Sequence, residues 1–167
     1  MKGLLLILML PVFSAHAQQS FEKKISEAAR TLLCDPPDEK HPVTLKAKLV
    51  VEKDSVAVIV KAALAPGWHV YQFVPSSLPY IPIEHVLQFP ETLTAVGTWI
   101  RTDPMTSVDD PGVLIYEKEA VFIHKAMRKE AGKAKGFVRA GLYYQTCNLN
   151  QCLPPVEEVF ELDMEKP

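Results

Sequence analysis

From Val43 to Val51 apolar and polar residues alternate, the period of a strand with one buried face. Residues 56–64 are mostly apolar, which suits a strand at the centre of a sheet. Lys53-Asp54-Ser55 is the turn between them. Pro66-Gly67 ends the second run and leads into an aromatic strand, Trp68 to Phe73. Pro75, Pro79 and Pro82 then break the chain into loop. Further strands are predicted over 83–89, 95–100, 114–125, 136–144 and 156–162. Between them lie a turn-rich loop over 102–112 and a basic turn from Met127 to Lys135. Only Ser20 to Leu33 has helical spacing, with Phe21, Ile25, Ala28, Ala29, Leu32 and Leu33 on one face. Asp35-Pro36-Pro37 stops it. Seven or eight short strands and one short N-terminal helix predict an all-β chain folded as an antiparallel β-sandwich.

At 167 residues the chain has room for one core. Fourteen prolines against seven glycines suit strands and turns better than helices. A formal charge of −2 carries no electrostatic footprint for nucleic acid or anionic lipid. The first residues change the picture more. Lys2, the apolar run Gly3 to Phe13, and Ala15-His16-Ala17 have the layout of a secretory signal peptide, cut after Ala17. The run is shorter than the roughly 20 residues that a membrane span needs, so no stable membrane insertion is expected after cleavage. The expected organisation is a signal peptide at 1–17, a helical extension at 18–37 and a sandwich domain at 38–167.

Export places Cys34, Cys147 and Cys152 where disulfides persist. Cys147 and Cys152 flank Asn148-Leu149-Asn150-Gln151, between two strand-like runs, and read as a hairpin. Facing residues of an antiparallel pair approach to about 4.5 Å between Cα atoms, so the two cysteines are easily bridged. Cys34 reads as a half-buried free thiol at the end of the helix. The bridge has two competing readings. It closes a small loop and adds only about 2 kcal/mol by chain entropy, which suits a surface reagent. The same bridge also fits a static staple in a binding module. A metal site is disfavoured, because no histidine follows Cys147 and the nearest upstream is His124. No cofactor motif, such as a glycine-rich phosphate loop, is present.

Tyr144-Gln145-Thr146-Cys147, a short spacer, then Cys152-Leu153-Pro154-Pro155 resembles the active-site hairpin of the N-terminal periplasmic domain of DsbD, the thiol:disulfide interchange protein. Gly67-Trp68-His69-Val70-Tyr71, Gly97-Thr98-Trp99 and Ile115-Tyr116 fit the same family in the right order, over roughly residues 43–162. The resemblance implies an immunoglobulin-like sandwich and thiol–disulfide exchange, an oxidoreductase activity that depends on thioredoxin-fold periplasmic partners. It makes Cys147 and Cys152 the catalytic pair, with Cys152 facing the partner and Cys147 resolving the mixed disulfide. It implies a redox-site environment of His69, Tyr71, Asp103 and Tyr144. Three of these have a plainer reading: His69 as a solvent-facing strand residue, Tyr71 as a core aromatic, and Asp103 before Pro104 as a turn starter. It also implies a cap over 102–112. No aromatic ring stands there, which leaves Pro104, Met105 and Val108 to shield the pair. The membrane segment and C-terminal thioredoxin-like domain of DsbD have no counterpart in this sequence.

Overall fold

A computed structural model of the chain describes residues 13–130 and 135–166, with side chains from residue 18 onward. The Lys2-to-Pro11 part of the expected signal peptide and the tip of the basic turn lie outside the described residues. Among the described residues the helix α1 runs Phe13–Thr31 and is followed by eleven strands. They are β1 (Val43–Glu52), β2 (Ser55–Leu64), β3 (His69–Phe73), β4 (Glu84–Gln88), β5 (Leu93–Arg101) and β6 (Met105–Thr106). Then come β7 (Leu114–Glu117), β8 (Glu119–Arg128), β9 (Phe137–Tyr144), β10 (Thr146–Cys147) and β11 (Val156–Asp163).

One layer is the sheet β1-β2-β8-β5. Two smaller sheets, β11-β9-β4 and β10-β3-β7-β6, contribute to the other side of the core. Strand-to-strand pairing is antiparallel throughout these sheets. The core takes alternate residues of each strand: Val56, Val58, Val60, Ala62 and Leu64 from β2, Phe122 from β8, and Val138, Ala140, Leu142 and Tyr144 from β9. This is the antiparallel β-sandwich the periodicity predicts.

The apolar run of β2 is explained by what covers its second face. Phe21, Ile25 and Ala28 of α1 pack on Val50, Ala57 and Ile59, with Leu32, Val121 and Ile123 beside them. Lys24 pairs with Glu52 at 3.2 Å, and Lys125 pairs with Glu22. Lys61, buried on the same face, reaches Glu119 at 2.9 Å and donates to the carbonyl of Ala29 at 3.4 Å. A cation at that carbonyl meets the negative end of the helix. The helix ends two residues earlier than its spacing predicts. Leu33 lies beyond it and is 79% exposed rather than on the packed face.

A second departure affects the site. The predicted strand 114–125 is two strands, broken at Lys118, whose φ of 63° is left-handed. That turn moves the chain from the sheet containing β7 to the sheet containing β8, so Tyr116 and Phe122 meet edge to face, 5.4 Å between ring centres.

Candidate functional site

β9 and β11 form a long antiparallel pair that closes at Tyr144 opposite Val156. The chain between them leaves that sheet. Thr146 and Cys147 pair instead with Val70 and His69 of β3. Cys147 and Cys152 stand opposite each other as an isolated antiparallel bridge, with Cα atoms 4.0 Å apart and a disulfide between them. The hairpin is held apart from the disulfide. Asn148 N–H donates to Gln151 O, and Leu153 N–H donates to Thr146 O, both at 2.9 Å. Asn148 Oδ1 accepts from the amides of Asn150 and Gln151, which is why asparagine opens this turn.

The two sulfurs lie in unlike surroundings. Cys147 is 1% exposed, whereas Cys152 is exposed. Cys147 belongs to a small cluster with Tyr71, Val113 and Ile115, outside the main core. Val74, Leu78 and Tyr80 cover that cluster, and Tyr80 stacks on Tyr71 at 4.8 Å. The proline-broken segment between β3 and β4 is therefore its lid. Gln145 ties the lid to the hairpin: Oε1 accepts from Ile81 N–H at 3.1 Å, and Nε2 donates to Leu153 O at 3.4 Å. The three prolines predict plain loop here, and the folded path of that loop returns Tyr80 onto Tyr71.

The expected site residues divide. His69 stands across from Cys147 in the ladder, half-buried, its ring edge-on to Tyr71 at 5.0 Å. Burial pulls the His69 imidazole below its ordinary value, opposed by Glu117, Asp110 and Asp109. Tyr71 is buried beside Cys147, and burial raises its phenol, with Tyr80 and Asp110 acting in the same direction. Tyr144 is not in this cluster. Its ring lies in the main core, where burial, followed by Glu158, pushes its phenol up to about 12. Asp103 is exposed, and the residue its charge acts on is Tyr116, in the main core. The carboxylate acting on both His69 and Tyr71 is Asp110, in the same loop.

The expected cap is a short hairpin. Met105 pairs with Ile115 and Thr106 with Leu114, at the far edge of the sheet from Cys147. Met105 is 48% exposed and Val108 is 91% exposed. Val113, at the end of this loop, is what packs with Cys147. Cys34 is a free, half-buried thiol that donates to Lys61 O at 3.4 Å, and burial raises it against the opposing charge of Lys61. Among the described residues no group of three His, Cys, Asp or Glu is placed to hold a metal ion, and no helix is long and apolar enough to cross a membrane.

The β-sandwich carries its disulfide on a hairpin that buries Cys147 and exposes Cys152. Residues 35–164 match the family of the N-terminal domain of the thiol:disulfide interchange protein DsbD, and the chain belongs to that family. The fold is accordingly that family's antiparallel β-sandwich. The chain is similar to the N-terminal periplasmic domain of ScsB from Proteus mirabilis, with 20% identity and a TM-score of 0.55. That match covers 80% of this chain and 51% of the other, so the chain spans about half the length of that structure. It is also similar to the reduced N-terminal domain of Neisseria meningitidis DsbD, at 22% identity and a TM-score of 0.47, covering 81% of this chain and 92% of that one. A third similar structure is the complex between the DsbD and PilB N-terminal domains of Neisseria meningitidis, at 20% identity and a TM-score of 0.42, covering 80% and 88%. No curated protein matches.

Proposed function

We propose that this chain is an exported thiol–disulfide exchange module that relays electrons between thioredoxin-fold proteins through Cys147 and Cys152. The observation that carries the reading is the unequal exposure of the two sulfurs. Exchange needs one sulfur open to an attacking thiolate and a second held in reach to release the mixed disulfide. Cys152 has the first property and Cys147 the second. Leu149, exposed at the hairpin tip, offers an apolar contact to the partner that approaches Cys152. The site works without metal or cofactor. His69 and Tyr71 act on Cys147 from β3, and Asp110 takes the place expected of Asp103. The loop of Pro104, Met105 and Val108 shields the pair only on moving from the position described above. The compartment is the periplasm, reached by a signal peptide cleaved after Ala17, with residues 18–37 an extension and 38–167 the exchange domain.

Two measurements test the reading. The potential of the bridge should lie near those of disulfide-handling proteins, roughly −120 to −270 mV; a value below about −300 mV would mark a static staple. Cys147→Ser should trap a thioredoxin-fold protein carrying a single attacking cysteine, seen as a mixed disulfide on non-reducing electrophoresis. Cys152→Ser should not, and Cys34→Ala should leave trapping unchanged. Equal trapping by both single variants would refute the assigned roles.

A further inference from the structure

Three side chains from separate parts of the sequence share one row of the sheet β10-β3-β7. Cys147 pairs with His69, and His69 pairs with Glu117. Residues paired across antiparallel strands project from the same face, with Cβ atoms about 4.5–5.5 Å apart. The neighbouring row is Thr146, Val70 and Tyr116. Val70 and Tyr116 belong to the main core, so the row of Cys147, His69 and Glu117 projects from the opposite face. That face carries the cluster of Tyr71, Ile115 and Cys147.

A sulfur that is 1% exposed among Tyr71, Val113 and Ile115 cannot become a thiolate cheaply, because burial in apolar surroundings raises a thiol. Yet Cys147 must be a thiolate to resolve a mixed disulfide. We propose that His69 accepts the proton of Cys147 in that step, and that Glu117 positions and supports the imidazolium that results. The proposal rests on the exchange reading above. The thiolate of Cys152 attacks a partner disulfide, forming an S–S bond to one partner sulfur and releasing the other as a thiolate. Cys147 gives its proton to His69, and its sulfur attacks Cys152 Sγ. The Cys147–Cys152 bond forms, the bond to the partner breaks, and the second partner sulfur leaves as a thiolate. Two electrons pass from the cysteine pair to the partner disulfide. His69 then returns its proton to water.

The charges acting on His69 suit this role. Glu117 faces it from β7, and Asp109 and Asp110 act from the loop before Val113. Tyr71 on its own strand and Cys147 on β10 also stand beside it. Burial keeps the ring neutral at rest, and so able to accept, while the three carboxylates favour the cation once the proton arrives.

The test needs no protein partner. In the Cys34→Ala/Cys152→Ser chain, alkylation of Cys147 followed against pH reads its thiolate. His69→Gln should raise the midpoint by about one pH unit, a roughly tenfold slower reaction at neutral pH. In the Cys34→Ala chain, the NMR titration of the His69 ring should shift upward when the bridge is reduced, because the coupling is reciprocal. Glu117→Gln should lower that ring midpoint, and Glu117→Asp should restore most of it. A His69 midpoint indifferent to the redox state would overturn the proposal, even if His69→Gln failed to fold. So would a Cys147 midpoint indifferent to His69→Gln. Coupling without any exchange would sink the exchange reading and the step built on it, whereas exchange without coupling would sink only the proton transfer.

Discussion

Reducing the Cys147–Cys152 bridge should leave the sandwich folded and lower its stability by about 2 kcal/mol. The bridge joins residues five apart in sequence, the chain-entropy relation for so short a loop gives about 2 kcal/mol, and the enthalpic part is small if the hairpin does not depend on it. The contacts that remain say that it does not. Asn148 still closes the turn through Gln151 and through its side chain, and Leu153 N–H still meets Thr146 O. Thr146 Oγ1 still donates to His69 O at 2.9 Å, and Gln145 still holds Ile81 and Leu153. Behind them, β9 and β11 keep their full register from Tyr144–Val156 to Phe137–Asp163. For a domain of this size, 2 kcal/mol corresponds to a fall in Tm of about 4–8 °C. Thermal unfolding followed by circular dichroism, with and without a phosphine reductant in the Cys34→Ala background, measures it. Loss of the β-sheet signal at 25 °C on reduction would refute the reasoning. So would a fall in Tm beyond about 15 °C, since either would make the bridge a staple rather than a reagent.

Other consequences follow from packing and burial. Gly141→Ala should be strongly destabilising: its Cβ would come within 1.9 Å of Glu158 O on β11, so backbone must move, and chemical denaturation should show a loss of at least about 1–3 kcal/mol. Ile25→Ala removes a side chain buried between α1 and the outer face of the β1–β2 pair, and should cost about 2–4 kcal/mol while leaving the potential of the bridge unchanged. His85, stacked on Trp99 and edge-on to Phe122, is held down to about 4 by burial, then by Arg101 and His124. The unfolded chain therefore binds the extra proton first, and stability should fall as pH drops from about 6.5 toward 4. Urea unfolding across that window should show a shallower slope in His85→Phe, and an unchanged slope would refute the assignment.

Local pattern was enough for the elements whose partners are near in sequence. The alternation over 43–51, the turn at Lys53-Asp54 and the apolar run after it are one hairpin, with Glu52 opposite Ser55. The bridge between Cys147 and Cys152 was legible for the same reason: both sulfurs lie on one short hairpin, and chain geometry alone brings them together. What surrounds that hairpin came from distant sequence. A two-residue period says which side chains share a face and nothing about which strand lies alongside. So no sequence pattern paired Cys147 with His69, or placed Glu117 in the same row. The break at Lys118 lies in Glu117-Lys118-Glu119-Ala120, poor strand formers set between the good ones Ile115-Tyr116 and Val121-Phe122, and the left-handed φ there turns the chain from one sheet to the other. Asp103 and Asp110 are both acids in one turn-rich loop, and only the folded path of that loop brings the field of Asp110 onto His69 and Tyr71. Sequence alone determined the class of fold and which sulfurs meet, because both follow from short-range geometry. Tertiary structure decided which sulfur is buried and what covers it, because burial depends on every segment packed around a residue.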